Sequence, residues 1–119
     1  MEPIYGNTGQ VVAWFDDADV LDINGRYIAF IYQGNIIAYN GNGHVGWFEG
    51  GVFWDSHYQA VGMLRETSAS LPRPGFGGTP GRPGKAGKPG RPGIPGTPGK
   101  PGRSNSWSGK TWDQWAPSA

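Results

Sequence analysis

A chain of 119 residues has room for one small domain and an extension, and the absence of cysteine excludes disulfides and thiolate chemistry. No apolar run reaches the about 18 residues a membrane helix needs, and no basic-then-apolar start marks a signal peptide, so a cytoplasmic chain or one exported by an unconventional route is expected. The net charge of +1 conceals an asymmetry, because residues 1–66 carry eight acids and two bases whereas residues 67–119 carry eight bases and one acid. An acidic head and a basic tail attract each other, within one molecule or between molecules. Nucleic acid is a weaker partner for the tail, whose charges are spread along a rod without interleaved aromatics.

Residues 1–66 hold an internal repeat of about 16 residues. Val11-Val12-Ala13-Trp14-Phe15, Tyr27-Ile28-Ala29-Phe30-Ile31, His44-Val45-Gly46-Trp47-Phe48 and Ala60-Val61-Gly62-Met63-Leu64 start 16, 17 and 16 residues apart. A shorter apolar run and a turn precede each block, as in Val20-Leu21-Asp22-Ile23 before Asn24-Gly25. Asn-Gly between two β-rich runs signals a hairpin, because a type I′ turn needs positive φ at both central residues. The links Asp16-Asp17-Ala18-Asp19, Gln33-Gly34-Asn35 and Glu49-Gly50-Gly51 are also turn-rich. The pattern predicts an all-β head of four tandem hairpins, eight short strands around a pseudo-four-fold axis, with essentially no helix. Ala13, Ala29, Gly46 and Gly62 are the candidate axis residues, since four equivalent positions meeting at an axis leave room only for Ala or Gly. Val12, Ile28, Val45 and Val61, with the packing residues Trp14, Phe30, Trp47 and Met63, are expected on the opposite strand face. The competing arrangement is an ordinary open antiparallel sheet. A head of this size is marginal on burial alone, so support from self-association or from the tail is expected.

Residues 67–74 form a linker, with a polar hinge at Thr67-Ser68-Ala69-Ser70. Residues 75–103 place glycine at every third position: Gly75, Gly78, Gly81, Gly84, Gly87, Gly90, Gly93, Gly96, Gly99 and Gly102. Proline precedes most of these glycines, at Pro80, Pro83, Pro89, Pro92, Pro95, Pro98 and Pro101. Such a Gly-X-Pro run predicts a polyproline II, collagen-like rod, because proline presets φ and only glycine fits where three chains crowd one axis. The alternative is a flexible Pro/Gly linker, which needs no fixed period. Fully extended, the rod would span about 80–85 Å at a rise of ~3.1 Å per residue. Residues 104–119 carry Trp107, Trp112 and Trp115, read as an assembly anchor that docks on something apolar; a short helix would put Trp112 and Trp115 on one face.

Head and tail together resemble the bacterial four-fold beta flower proteins. The resemblance rests on Glu2-Pro3-Ile4-Tyr5, Gly9-Gln10-Val11-Val12-Ala13-Trp14, Asn24-Gly25-Arg26-Tyr27-Ile28-Ala29-Phe30, Gly46-Trp47-Phe48, Ser106-Trp107-Ser108 and Thr111-Trp112, covering residues 2–65 and 104–115. It implies a compact four-fold β repeat followed by a proline-rich tail, and no established activity. The strict Gly-X-Pro rod is a departure, since relatives would carry Pro-Leu-rich sequence there.

No catalytic residue, metal site or cofactor is expected. His44 and His57 occupy different repeat positions, which favours surface roles over a zinc site. Asp16, Asp17 and Asp19 lack the turn glycine and distal glutamate of a calcium loop and read as a solvated turn. The sequence points to a structural, self-assembling protein and not to an enzyme. In this reading the rod associates with other copies, as a trimer or a filament, through intersubunit contacts between acidic heads and basic tails. The alternative is an adhesion module whose head recognises a glycan or protein on a spacer rod. A third arrangement folds the tail back along its own head.

Overall fold

The computed structural model describes residues 1–67, 71–72, 74–102 and 106–118. The hinge residues Ser68, Ala69 and Ser70, with Arg73, Arg103 and Ser104, lie outside that set. Eight strands fill the head: β1 (Glu2–Tyr5), β2 (Val11–Asp16), β3 (Asp19–Asp22), β4 (Tyr27–Tyr32), β5 (Asn35–Ala38), β6 (His44–Glu49), β7 (Val52–Trp54) and β8 (Ala60–Met63). Each is antiparallel to the next, and β1 pairs with β8 through Tyr5 and Met63, closing a barrel in sequence order. Closure removes both sheet edges, which an eight-stranded open sheet would leave bare. The only helix among the described residues is α1 (Trp112–Trp115), in the tail.

The turn chemistry differs from the expectation. The tight two-residue connections are Asp17-Ala18, with Asp17 alone at positive φ (57°), Gln33-Gly34, with φ of 50° and 80°, and Gly50-Gly51, with φ of 65° and 80°. Asn24-Gly25 instead lies in a four-residue loop in which, of the two, only Gly25 has positive φ, at 87°. The reason is Asp22. Its carboxylate accepts the backbone N–H groups of Asn24 and Arg26, each at 2.9 Å, and this local cap replaces the type I′ geometry.

A second correction concerns Val12, Ile28, Val45 and Val61. Each is skipped in the pairing of its hairpin: Ile4 faces Ala13 while Tyr5 faces Val11, and the same shift recurs at Val20/Leu21, Ile36/Ile37 and Phe53/Trp54. These are four β-bulges, one per repeat. A bulge breaks the alternation of faces, so the extra residue no longer lies opposite its small neighbour. Ile28 and Val61 are therefore buried in the same cluster as Ala13 and Ala29, together with Ile4, Val20, Ile36, Phe53 and Trp112, and Val12 and Val45 pack against it. Trp14, Phe30, Trp47 and Met63 are paired across strands with Leu21, Ile37, Trp54 and Val52 and are all buried. Both faces of the wall are thus covered.

The Cα radius of gyration is 13.3 Å and the extents are 37 × 35 × 22 Å. The expected 80–85 Å rod is therefore absent. The described residues beyond Pro72 run around the head instead, because the charges and aromatics that could bridge copies are satisfied at home.

Candidate functional site

The most specific surface of the molecule is the interface between the barrel and the segment that encircles it. The segment meets the barrel in strand order. Phe76 packs on Tyr5 with the rings tilted and their centroids 4.3 Å apart, and the Arg65 guanidinium lies 5.1 Å from the Phe76 ring. Arg91 caps the Phe30 ring at 4.7 Å. Ser106 and Ser108 then bracket Ala60 of β8, its N–H donating to Ser106 and its carbonyl accepting from Ser108. Finally Trp107 Nε1 donates to the Pro72 carbonyl at 2.7 Å, so the belt closes on its own start. Lengths agree: a ring about 36 Å across has a circumference of about 110 Å, and the 35 steps from Pro72 to Trp107 cover about the same at ~3.1 Å each.

A numerical register links belt and barrel. The Gly77 N–H donates to the Gly9 carbonyl at 2.8 Å, and the Ala86 N–H donates to the Gly25 carbonyl at 2.9 Å. Pro95 packs beside Gly43. Nine belt residues, three Gly-X-Y triplets, thus match each barrel repeat. Residues 77 and 86 are the two slots before a glycine, within the regular run, that lack proline. Proline has no N–H to give, so the two breaks in the Gly-X-Pro pattern fall where the barrel requires a donor. The third contact tolerates Pro95 because it is made by packing, in a loop one residue longer than its equivalents; there Ala38 N–H reaches Gly43, whereas Asp22 N–H reaches Arg26.

Residues that follow four of the ten glycines supply charge to the barrel. Lys85 Nζ lies 2.5 Å from Asp16, Lys88 3.0 Å from Asp19, Arg91 3.9 Å from Asp19 and Lys100 3.4 Å from Glu49. The hydrogen bond from Lys85 holds the Asp16 carboxyl below its ordinary pKa and raises that of Lys85. Asp19 is buried and also accepts the Tyr39 hydroxyl at 2.5 Å. Burial first, and this hydrogen bond second, push the Tyr39 phenol up to about 12.

The third side of the belt is bare. A Cβ placed on Gly75, Gly78, Gly81, Gly84, Gly87, Gly90, Gly93, Gly96, Gly99 or Gly102 would meet nothing within 4 Å. Two strand glycines of the barrel behave oppositely: a Cβ on Gly46 would collide with the Trp54 carbonyl, and one on Gly62 would come within 2.8 Å of the Trp112 ring. At Gly46 the crowding comes from the adjacent strand and not from the axis, whereas Gly62, like Ala13 and Ala29, opens toward the barrel core.

The tail tryptophans, expected to anchor an assembly, are placed on their own head. Trp112 is buried in the barrel core, 5.8 Å from Phe53. Trp115 sits 5.0 Å from it, and its Nε1 donates to the Val45 carbonyl at 3.0 Å. Thr111 and Gln114 cap the single helical turn reciprocally. His44 Nε2 bonds Asn35 Oδ1 at 3.1 Å, and burial lowers its pKa. No group of three or more His, Cys, Asp or Glu suited to a metal occurs among the described residues, and none of their helices is long and apolar enough to cross a membrane. Sequence reasoning missed the carbonyls of Gly9 and Gly25 and the pair Tyr5 and Phe76. The missing prolines at 77 and 86 were the available signal.

The sequence pattern that describes 4-fold beta flower proteins matches residues 2–116, a span that includes the Gly-X-Pro segment. No curated protein and no solved structure matches the chain.

Proposed function

The chain belongs to the 4-fold beta flower protein family, and from that premise we propose that it is a structural, self-assembling protein whose belt presents a collagen-like glycine face to the belts of other copies. The observation that carries this reading is the bare glycine face. The barrel reads the belt through backbone donors at Gly77 and Ala86, through the cations Lys85, Lys88, Arg91 and Lys100, and through the carbonyls of Gly75 and Gly84 that lie against Gly9 and Gly25, and it leaves the Cβ side of the ten glycines uncovered. None of these ten glycines has a positive φ that would require it. A residue without a side chain at every third position has a purpose where another polyproline II strand packs on the backbone. The acid–base contacts expected between copies are made within one chain, so assembly in this reading joins compact beads through their belts. The reading in which the head binds a glycan or protein at the end of a spacer would need the segment to leave the head, and the 13.3 Å radius does not favour it.

Sedimentation velocity and electron microscopy at low and high salt test the proposal. Wild-type protein is expected to form assemblies, and Gly90→Ala with Gly93→Ala to reduce it to folded monomers with an unchanged circular dichroism spectrum. Monomeric wild-type protein at both salts, or assemblies indifferent to the two alanines, would overturn it.

A further inference from the structure

We infer that the outer wall of the barrel is a peptide-recognition site, one that takes a basic Gly-X-Y polyproline II segment in a nine-residue register and accepts that segment from a second copy as well as from its own chain. The site has two repeated parts. A loop carbonyl, Gly9 and then Gly25, accepts one N–H from the residue before a glycine. Carboxylates of Asp16, Asp19 and Glu49 receive cations from residues that follow a glycine.

The fit argues for recognition and not for adventitious draping. Proline is absent at positions 77 and 86 and present at the seven other equivalent positions of the run. Both absences coincide with a hydrogen bond of 2.8–2.9 Å to an equivalent carbonyl, 16 residues apart on the barrel and nine apart on the belt. Within the run, a segment shifted by whole triplets would set a proline nitrogen against at least one of the two acceptors, leaving that carbonyl without its donor. A site cannot distinguish its own belt from an identical one. The covalent link favours the local belt by effective concentration, so exchange grows with protein concentration. This inference does not rest on the glycine-face reading, because the contact uses backbone atoms of the belt and not the open Cβ side of its ten periodic glycines.

The test begins with the full-length chain carrying a protease site inserted between Pro74 and Gly75, folded first and then cut. Synthetic peptide 75–119 bearing a fluorophore is added, and its incorporation is followed by anisotropy and native mass spectrometry. The labelled peptide is expected to replace the cut strand. Peptides with Gly77→Pro or Ala86→Pro are each expected to compete about tenfold less well, from the loss of one backbone bond. A peptide with Pro89→Ala, or with Gly90→Ala and Gly93→Ala, should compete like wild type, which separates this site from the glycine face. Failure of the peptide to enter, or equal competition by all variants, overturns the inference. Should the cut chain unfold, amide exchange in the uncut protein decides. Faster exchange around Gly84–Lys88 in Ala86→Pro than in Pro89→Ala supports the register, and equal exchange refutes it.

Discussion

Gly46 and Gly90 are the same residue under opposite demands. At Gly46 a methyl group would collide with the Trp54 carbonyl, which belongs to the strand ladder and cannot step aside. Gly46→Ala is therefore expected to destabilise the protein by about 1–3 kcal/mol, the usual range for overpacking. At Gly90 the methyl group meets open space, and the change should stay within about 0.5 kcal/mol. Urea melts of the two variants check both values, and equal losses would contradict the packing described. Tyr39 makes a separate residue-scale prediction. Its phenol is raised to about 12, by burial first and by Asp19 second. A folded-state pKa above the unfolded value of 10.0 stabilises the fold below pH 10, and that contribution is lost as pH rises toward 12. Absorbance titration should include a late-ionising phenol, and Tyr39→Phe should remove that step.

At the scale of elements, the belt is held by two kinds of contact with different sensitivities. The belt cation of each ion pair is exposed, so salt screens the pairs and each is worth little alone. Asp16 is stabilised as a carboxylate by Lys85, so its contribution is present above pH 3.8 and fades as pH falls through its lower native pKa. Lys85, raised by Asp16, contributes below pH 10.5 and fades as pH rises through its higher native value. The 84–88 stretch should thus show constant amide protection between those limits and a small decline outside them, since the bond from Ala86 to Gly25 remains. Loss of protection at neutral pH in high salt would show that the ion pairs, and not the bond from Ala86 to Gly25, hold it. The tail helix is secured differently, by burial of Trp112 against Phe53 and Gly62. Trp112→Ala empties the end of the core and should cost about 3–5 kcal/mol in denaturant melts.

The whole molecule is a bead and not a rod. A globule of this length has an expected radius of about 13.5 Å, against the observed 13.3 Å. Small-angle scattering of dilute monomer should return a radius near this value, and a profile of an extended rod would refute the wrapped belt. The same wrapping resolves how a head of about 66 residues survives, since it is marginal on its own burial. The belt and tail complete both surfaces: Trp112 enters the core, and Phe76, Leu71 and Trp107 join the cluster of Tyr5, Trp47, Trp54 and Met63 on the wall.

Much of this architecture was legible in the residues. A 16-residue period with a small residue at Ala13, Ala29, Gly46 and Gly62 announces four equivalent hairpins, because a repeat constrains every copy alike. The bulges at Val12, Ile28, Val45 and Val61 were not legible, since a skipped residue looks the same as a paired one until the neighbouring strand is in place. The aspartate cap that displaced a type I′ turn at Asn24-Gly25 was hidden for the same reason. The path of the Gly-X-Pro segment was likewise undecided by its own chemistry: a strand with charges, prolines and free N–H groups suits another copy or its own barrel equally well. Only the tertiary structure chose, by setting the carbonyls of Gly9 and Gly25 one quarter-turn apart, a distance that nine residues of extended chain happen to span.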